Sequence, residues 1–416
     1  MYSYSRLRRP ELALPLLHNK PYATSARFGA TIERHAGCAE AVRVAQVTYS
    51  YRPIVGGADV YAAELHRTLT EAGHESVVYQ AARGSGPHPG PLPGGEGETR
   101  TIPPTVLSHS RRGLFWTAPL GLAKVRDELA RLDVLIAHYP NYHRPIRWHP
   151  CTILLSHGVW WDDRPGALRS RLKRRLAREA YLQATAVVAN DTFFLREMGL
   201  DARPGLAPHT EVEPGRWYVP NAVDTGLFSP EGELRSGPPV ILVPRNLYRN
   251  RGVHLAVEAL ALVRRELDAR MRIVGALSQP GYVTECQALA ARLGVAEVVE
   301  FAGPRPWHQM PGEYRAAHLS LVPSLCGEGT SLSALESMAC GTPCVATRVA
   351  GLMDLPAVLA DPRPDAIAQA CLEALARRDE LAARQLGAVR SGFGLKRWRE
   401  SWLLVIEQAV ASSRRV

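Results

Sequence analysis

The feature that most constrains this chain is the run Leu319 to Pro343, in which a strand, a glycine-bearing loop and a short helix follow one another without a spare residue. Leu319, Leu321 and Val322 supply a buried strand that Pro323 ends. Gly327 and Gly329 let the loop backbone approach a ligand closely or adopt positive φ. Leu332, Leu335, Met338 and Ala339 recur at helical spacing, and Gly341 with Pro343 stops the helix. A helix that opens at a strand's carboxyl end points its free N–H groups and positive dipole end at an anion, which places Gly329, Thr330, Ser331 and Leu332 against a phosphate. Glu328 lies in the loop and Glu336 on the shoulder of the helix's apolar stripe. Carboxylates there accept hydrogen bonds from the hydroxyls of a sugar or a ribose. Residues alone leave a second reading open, an ordinary helix start with acidic residues near its positive end.

The spacing of Glu328 and Glu336, inside P-S-x3-E-G-x-S-L-x-x-L-E-x-M-A-x-G-x-P, resembles the E-x7-E signature of the retaining GT-B glycosyltransferases of family 4, the group 1 glycosyltransferases. The motif is long and ordered, so chance produces it far less readily than a lone G-x-G-x-x-G. The resemblance runs from about residue 42 to 411. It implies an α/β chain of GT-B fold, two Rossmann-like parallel-sheet domains facing a cleft. The implied donor is a nucleotide-diphosphate sugar (UDP- or GDP-sugar), the acceptor a hydroxyl, and the reaction transfer of a hexosyl group with retention.

Alternating strand and helix patterns fill the rest of the chain. At 416 residues it is too long for one ordinary core. We expect an N-terminal extension over 1–40, an acceptor-side domain over 41–215, a nucleotide-sugar domain over 216–395 and a final helix over 396–416 that crosses back. Val42 to Thr48, a Gly56-Gly57 loop and a helix from Val60 to Gly73 make a βαβ start with its loop at the ligand-binding edge. Family resemblance puts Gly56 and Gly57 against donor phosphates and acceptor, although a plain tight turn explains them equally well. Residues 83–105, rich in Gly and Pro, read as a loop or insertion. Thr152 to His157 is a strand ending in Ser156-His157-Gly158. Resemblance sets His157, ahead of His138, beside the transferred sugar.

Val240 to Val243 leads into Pro244-Arg245-Asn246-Leu247-Tyr248-Arg249-Asn250-Arg251-Gly252. Guanidinium groups at a strand's carboxyl end form a diphosphate clamp. The family has a Gly-Arg and then a Lys-Gly here. Arg245 matches the Arg, Pro244 replaces the Gly, and Arg251 or Arg249 stands in for the missing Lys. Gly275 is expected at the base-side loop, with residues near Pro304 reading the base. Leaving-group charge would fall on Arg245, Arg251 and the helix dipole, so no cofactor and no metal are expected; Asp162-Asp163 lie in the wrong domain for a metal site. A phosphorylase would need a pyridoxal lysine, and the second domain holds only Lys396. A non-catalytic binding module or a GT-B epimerase stays as the alternative.

Net charge of +10 points to an anionic partner. No nucleic-acid-binding signature accompanies it, so nucleotide diphosphates or an anionic membrane are the expected partners. Between Arg164 and Arg178 a cationic helix carries Leu168, Leu172 and Leu176, a stripe we expect to pack on the sheet, although such a face also permits peripheral membrane contact. No apolar run reaches spanning length, and a cytoplasmic location is expected. The seven cysteines read as reduced core thiols.

Overall fold

The computed structural model describes residues 40–51, 56–81, 98–103, 114–161, 167–231 and 237–415. The extension before Glu40, most of the Gly/Pro-rich stretch and Asp162-Asp163 lie outside the described residues.

Two parallel sheets form the molecule. The first contains β1 (Arg43–Thr48), β2 (Glu75–Gln80), β3 (Glu98–Thr101), β4 (Val134–Ala137), β5 (Thr152–Ser156), β6 (Ala186–Ala189), β7 (Thr210–Glu213) and β8 (Arg216–Tyr218), in the order β3-β2-β1-β4-β5-β6-β8-β7. Only β7 runs antiparallel, against β8. The second contains β9 (Val240–Val243), β10 (Arg270–Val274), β11 (Val299–Gly303), β12 (Leu319–Val322), β13 (Cys344–Thr347) and β14 (Val358–Ala360), all parallel, in the order β11-β10-β9-β12-β13-β14. Helices cover both faces of each sheet, which is why its central strands read as continuous apolar runs rather than alternating ones.

In each sheet the strand order reverses beside the first strand, between β1 and β4 and between β9 and β12. Loops leaving the two central strands splay apart there and open a crevice at their carboxyl ends. Arg245 follows β9 and the Pro323 loop follows β12, so the sequence motifs flank the switch point of the second sheet.

The first sheet reaches beyond the expected boundary at 215, because β8 pairs with β6 through Val187↔Arg216 to Ala189↔Tyr218. The crossing segment therefore starts after Tyr218. The chain crosses twice, and the crossings touch: Val223 bridges Gly394, with the Val223 amide donating to the Phe393 carbonyl at 2.9 Å. The last helix (Leu395–Ser413) then buries Trp398, Trp402, Val405 and Ile406 against Val44, Tyr61 and Leu65 of the first domain. Trp402 Nε1 donates to the Tyr61 hydroxyl at 2.7 Å. Each indole shields a large apolar area while Trp402 keeps its one donor paired.

The cationic helix, α2 (Leu168–Gln183, following α1 at Gly57–Glu71), departs from expectation. Ser170, Ala177, Ala180 and Tyr181 face the protein, whereas Leu168 and Leu172 are 81% and 57% exposed. Small residues let the helix sit close to the sheet, and that rotation turns the leucines outward. Five of the six described cysteines, all but Cys326, are buried. None of the described helices is long and apolar enough to cross a membrane.

Candidate active site

The site is built on Glu328. Its carboxylate is buried and receives Arg245 Nη2 and Arg251 Nη1 in two close ion pairs, with the Ser324 hydroxyl donating at 2.7 Å. Arg245 also donates to Ser324 Oγ at 2.7 Å and to Ser331 and Ser333 Oγ at 3.3 Å. Ser331 stands at the N-cap position of α4 (Leu332–Ala339, following α3 at Thr192–Met198), so the buried guanidinium lies at that helix's N-terminus. Two cations share one carboxylate beside a positive dipole end, which leaves excess positive charge for an anion. Arg245 Nε is buried without a hydrogen-bond partner among the described residues. Burial pulls the Arg245 guanidinium down to about 10, still well above neutrality, so it stays cationic.

Arg249 turns the other way. It pairs with Glu285 and lies over the Tyr282 ring at 5.3 Å. Of the two arginines left open by the sequence, Arg251 is the one gathered with Arg245. Gly252 makes that possible: it has φ of 67°, and a Cβ there would lie 1.9 Å from the Pro323 carbonyl oxygen. Gly275 is set by packing, since a Cβ would meet the Arg245 carbonyl oxygen at 2.2 Å. It lets β10 pass beneath the arginine loop, and no ligand contact is needed to explain it.

Glu336, on the shoulder of the apolar stripe of α4, is buried. Trp307 Nε1 donates to Oε1 at 3.0 Å and the Tyr314 hydroxyl to Oε2 at 2.7 Å. Burial raises its pKa, and these two hydrogen bonds oppose the rise. Each oxygen keeps a further lone pair for a hydroxyl donor.

The first domain closes the site. Its α1 starts at Gly56 and Gly57; the Gly56 amide is taken by Asp59 Oδ2 at 3.0 Å, and a Cβ on Gly57 would stand 3.3 Å from Leu332 Cδ1 of α4. Gly329 lies so near Asn190 that a Cβ would meet its Oδ1 at 2.5 Å. The Thr330 hydroxyl donates to the Asn190 carbonyl at 2.9 Å, and the Asn221 amide donates to Thr330 Oγ1 at 2.8 Å. Across the same cleft, at the start of α3 that Asp191 caps, Asp354 takes the Thr192 amide at 2.7 Å and hydroxyl at 2.6 Å. Burial, with help from Asp354, pushes the neighbouring Asp191 up to about 8; burial pushes Asp354 to about 6.

His157 sits at the end of a buried relay. Gln46 Nε2 donates to the Ala62 carbonyl at 3.2 Å, which turns its Oε1 to His138 Nε2 at 2.9 Å. His138 must then be protonated on Nε2, and its Nδ1 accepts from His157 Nε2 at 3.1 Å. This network assigns a bare, accepting Nδ1 to His157. Burial lowers its pKa to about 4, so the ring is neutral at physiological pH. His138, His157, Tyr139 and Trp160 line a cavity of about 230 Å³ with Asn250 and Cys326 of the second domain.

Sequence reasoning missed Asn190, Thr192, Asp354 and the Trp307–Tyr314 pair. Asn190 stands at a strand's carboxyl end, a visible signal; Thr192 and Asp354 are joined by packing of the two domains, and Trp307 and Tyr314 reach Glu336 by packing within the second, which no local pattern announces.

Two family models match the chain: the family 4 glycosyltransferase model over residues 55–202 and the "glycosyl transferases group 1" model over residues 238–377. A D-inositol 3-phosphate glycosyltransferase 2 of Catenulispora acidiphila is 29% identical over 337 residues, covering 71% of this chain and 75% of the relative. A D-inositol 3-phosphate glycosyltransferase of Nocardiopsis dassonvillei is 34% identical over 152 residues, covering 32% of this chain; the chain spans about a third (34%) of that relative's length. Among solved structures, sucrose-phosphate synthase from Thermosynechococcus elongatus superposes with a TM-score of 0.73 at 17% identity, covering 90% of this chain and 98% of that one. Anabaena HepE in complex with UDP and glucose gives 0.65 at 17%, covering 87% and 98%. Motif, switch-point geometry, both domain matches and the shared fold agree: the chain belongs to the GT-B glycosyltransferases of the group 1, family 4 kind.

Proposed function

We propose that this protein transfers a hexosyl group from a UDP- or GDP-sugar to a hydroxyl acceptor, with retention at the anomeric carbon and without a metal ion. The observation that carries the reading is the pairing of Arg245 and Arg251 on one buried carboxylate at the N-terminus of α4. As the sugar–phosphate bond breaks, negative charge grows on the diphosphate, and fixed cations already in place stabilise it with little reorganisation. Glu336 would accept ribose hydroxyls. His157, neutral and presenting an accepting Nδ1, would face the hexose from the first domain. The cavity between the domains would hold the acceptor, and its lining of Tyr139, Trp160, Asn250 and the two histidines suits a hydroxyl-bearing ring. A polyol acceptor is supported by the relatives named for D-inositol 3-phosphate.

The test is a panel of UDP- and GDP-sugars offered with sugar and polyol acceptors, including inositol 3-phosphate, in the presence of EDTA. Proton NMR of the product should show the anomeric configuration of the donor. Inversion, or activity that EDTA removes and a divalent ion restores, would contradict this reading. Nucleotide binding with no transfer to any acceptor would favour the non-catalytic alternative.

A further inference from the structure

The outward face of α2 has no role in the site described above. Leu168, Leu172, Arg175, Glu179 and Leu182 follow one another at intervals of four and three residues, so they share a line along the helix. Leu182 is 67% exposed, like the two leucines before it. Arg169, Arg171, Arg175 and Arg178 are exposed and make no ion pair among the described residues, whereas Arg174 reaches Glu197 at 3.3 Å. Lys173 belongs to the inner side: its Nζ donates to the Trp160 carbonyl at 3.0 Å and lies 5.6 Å from that ring's centroid. Trp160 packs in turn against Trp116, 5.2 Å between rings, and Trp116 is partly exposed.

A solvated helix has no use for three outward leucines, and a purely electrostatic patch has none either. Leucines set among unpaired arginines have the composition of a helix lying in the headgroup layer of an anionic bilayer. The leucines enter the acyl boundary, and the long arginine stems reach back to lipid phosphates. We propose that the outward face of α2 docks the protein on an anionic lipid bilayer. Trp160 lies between this face and the cavity of the candidate site, so a docked molecule would hold that cavity close to the membrane surface.

The experiment is co-sedimentation of the full chain with phosphatidylcholine vesicles, with and without phosphatidylglycerol. Wild-type protein should bind the anionic vesicles, weaken as salt rises, and leave the neutral vesicles unbound. Arg171→Glu/Arg175→Glu should weaken binding at least about thirtyfold, since losing each basic residue near the surface costs ~1 kcal/mol and each new carboxylate is repelled. Arg384→Glu/Arg390→Glu, exposed on the second-domain helix Arg378–Gly392, makes the same change in net charge and should leave binding within about twofold, since screening confines the attraction to charges near the surface. Leu168→Ala/Leu172→Ala keeps every charge and should weaken binding about tenfold, through lost apolar burial. No wild-type binding at low salt would overturn the proposal. So would wild-type affinity in the leucine variant, or equal binding to soluble polyglutamate; either would make this a face for acidic proteins.

Discussion

Arg245→Ala is expected to lower kcat/KM for the sugar donor by about 10²–10³, the usual cost of removing one preorganised group from a developing anion. It should also destabilise the second domain, because Glu328 is buried and would keep only one of its two cationic partners. Removing one member of a buried ion pair costs about 3–5 kcal/mol, and the surviving Arg251 should hold this loss to the lower end. The two effects separate in the double variant Arg245→Ala/Glu328→Gln. Neutralising the carboxylate should return much of the thermal stability and none of the turnover. Near-native turnover in the folded single variant would move the diphosphate clamp away from Arg245.

Gly158→Ala should be nearly as damaging, for a reason that lies across the cleft. Gly158 has φ of 106°, and a Cβ would stand 2.7 Å from the Gly329 amide nitrogen and 3.0 Å from the Glu328 carbonyl carbon. The methyl group must push the loop carrying Glu328 away from the first domain. Displacing a reacting group by about 1 Å costs on the order of 10²-fold in rate, so turnover should fall by about that factor while circular dichroism stays native. Gly73→Ala is the control. Its φ is 84° but nothing lies within 4 Å of the added atom, so it isolates the backbone strain of about 1–2 kcal/mol. Equal loss of turnover in both variants would show that strain, not domain contact, is responsible.

What could be read in the sequence was whatever rests on local periodicity. β9, β12, β13 and α4 follow from apolar runs bounded by Pro and Gly, and the arginine-bearing and glutamate-bearing loops follow from their position after those strands. Short or solvent-facing strands such as β3 and β7 lack that signature; Thr210–Glu213 has one apolar residue in four and is held by its antiparallel partner. The leucine stripe of α2 misled because periodicity reveals that a helix has an apolar face but not which neighbour, if any, covers it. Here small residues on another face, Ala177 and Ala180, set the packing. The pairing of Glu328 with both arginines was equally hidden, since the arginines lie on the loop after β9 and Glu328 on the loop after β12. Only the switch-point geometry brings them to one place. Asp354 reaching Thr192 joins residues 162 positions apart, a distance at which sequence pattern carries no information.

If Arg245, Arg251 and the N-terminus of α4 together hold a diphosphate, the second phosphate of a nucleotide must add to its affinity. Isothermal titration of wild-type protein with UDP and UMP, and with GDP and GMP, tests it most directly. For whichever base the protein accepts, the diphosphate should bind at least about tenfold more tightly, since each charge-assisted hydrogen bond is worth about 1.5–3 kcal/mol. That preference should disappear in Arg245→Ala. Equal affinity for the monophosphate and diphosphate in wild-type protein, or a preference that survives in the variant, would contradict the claim.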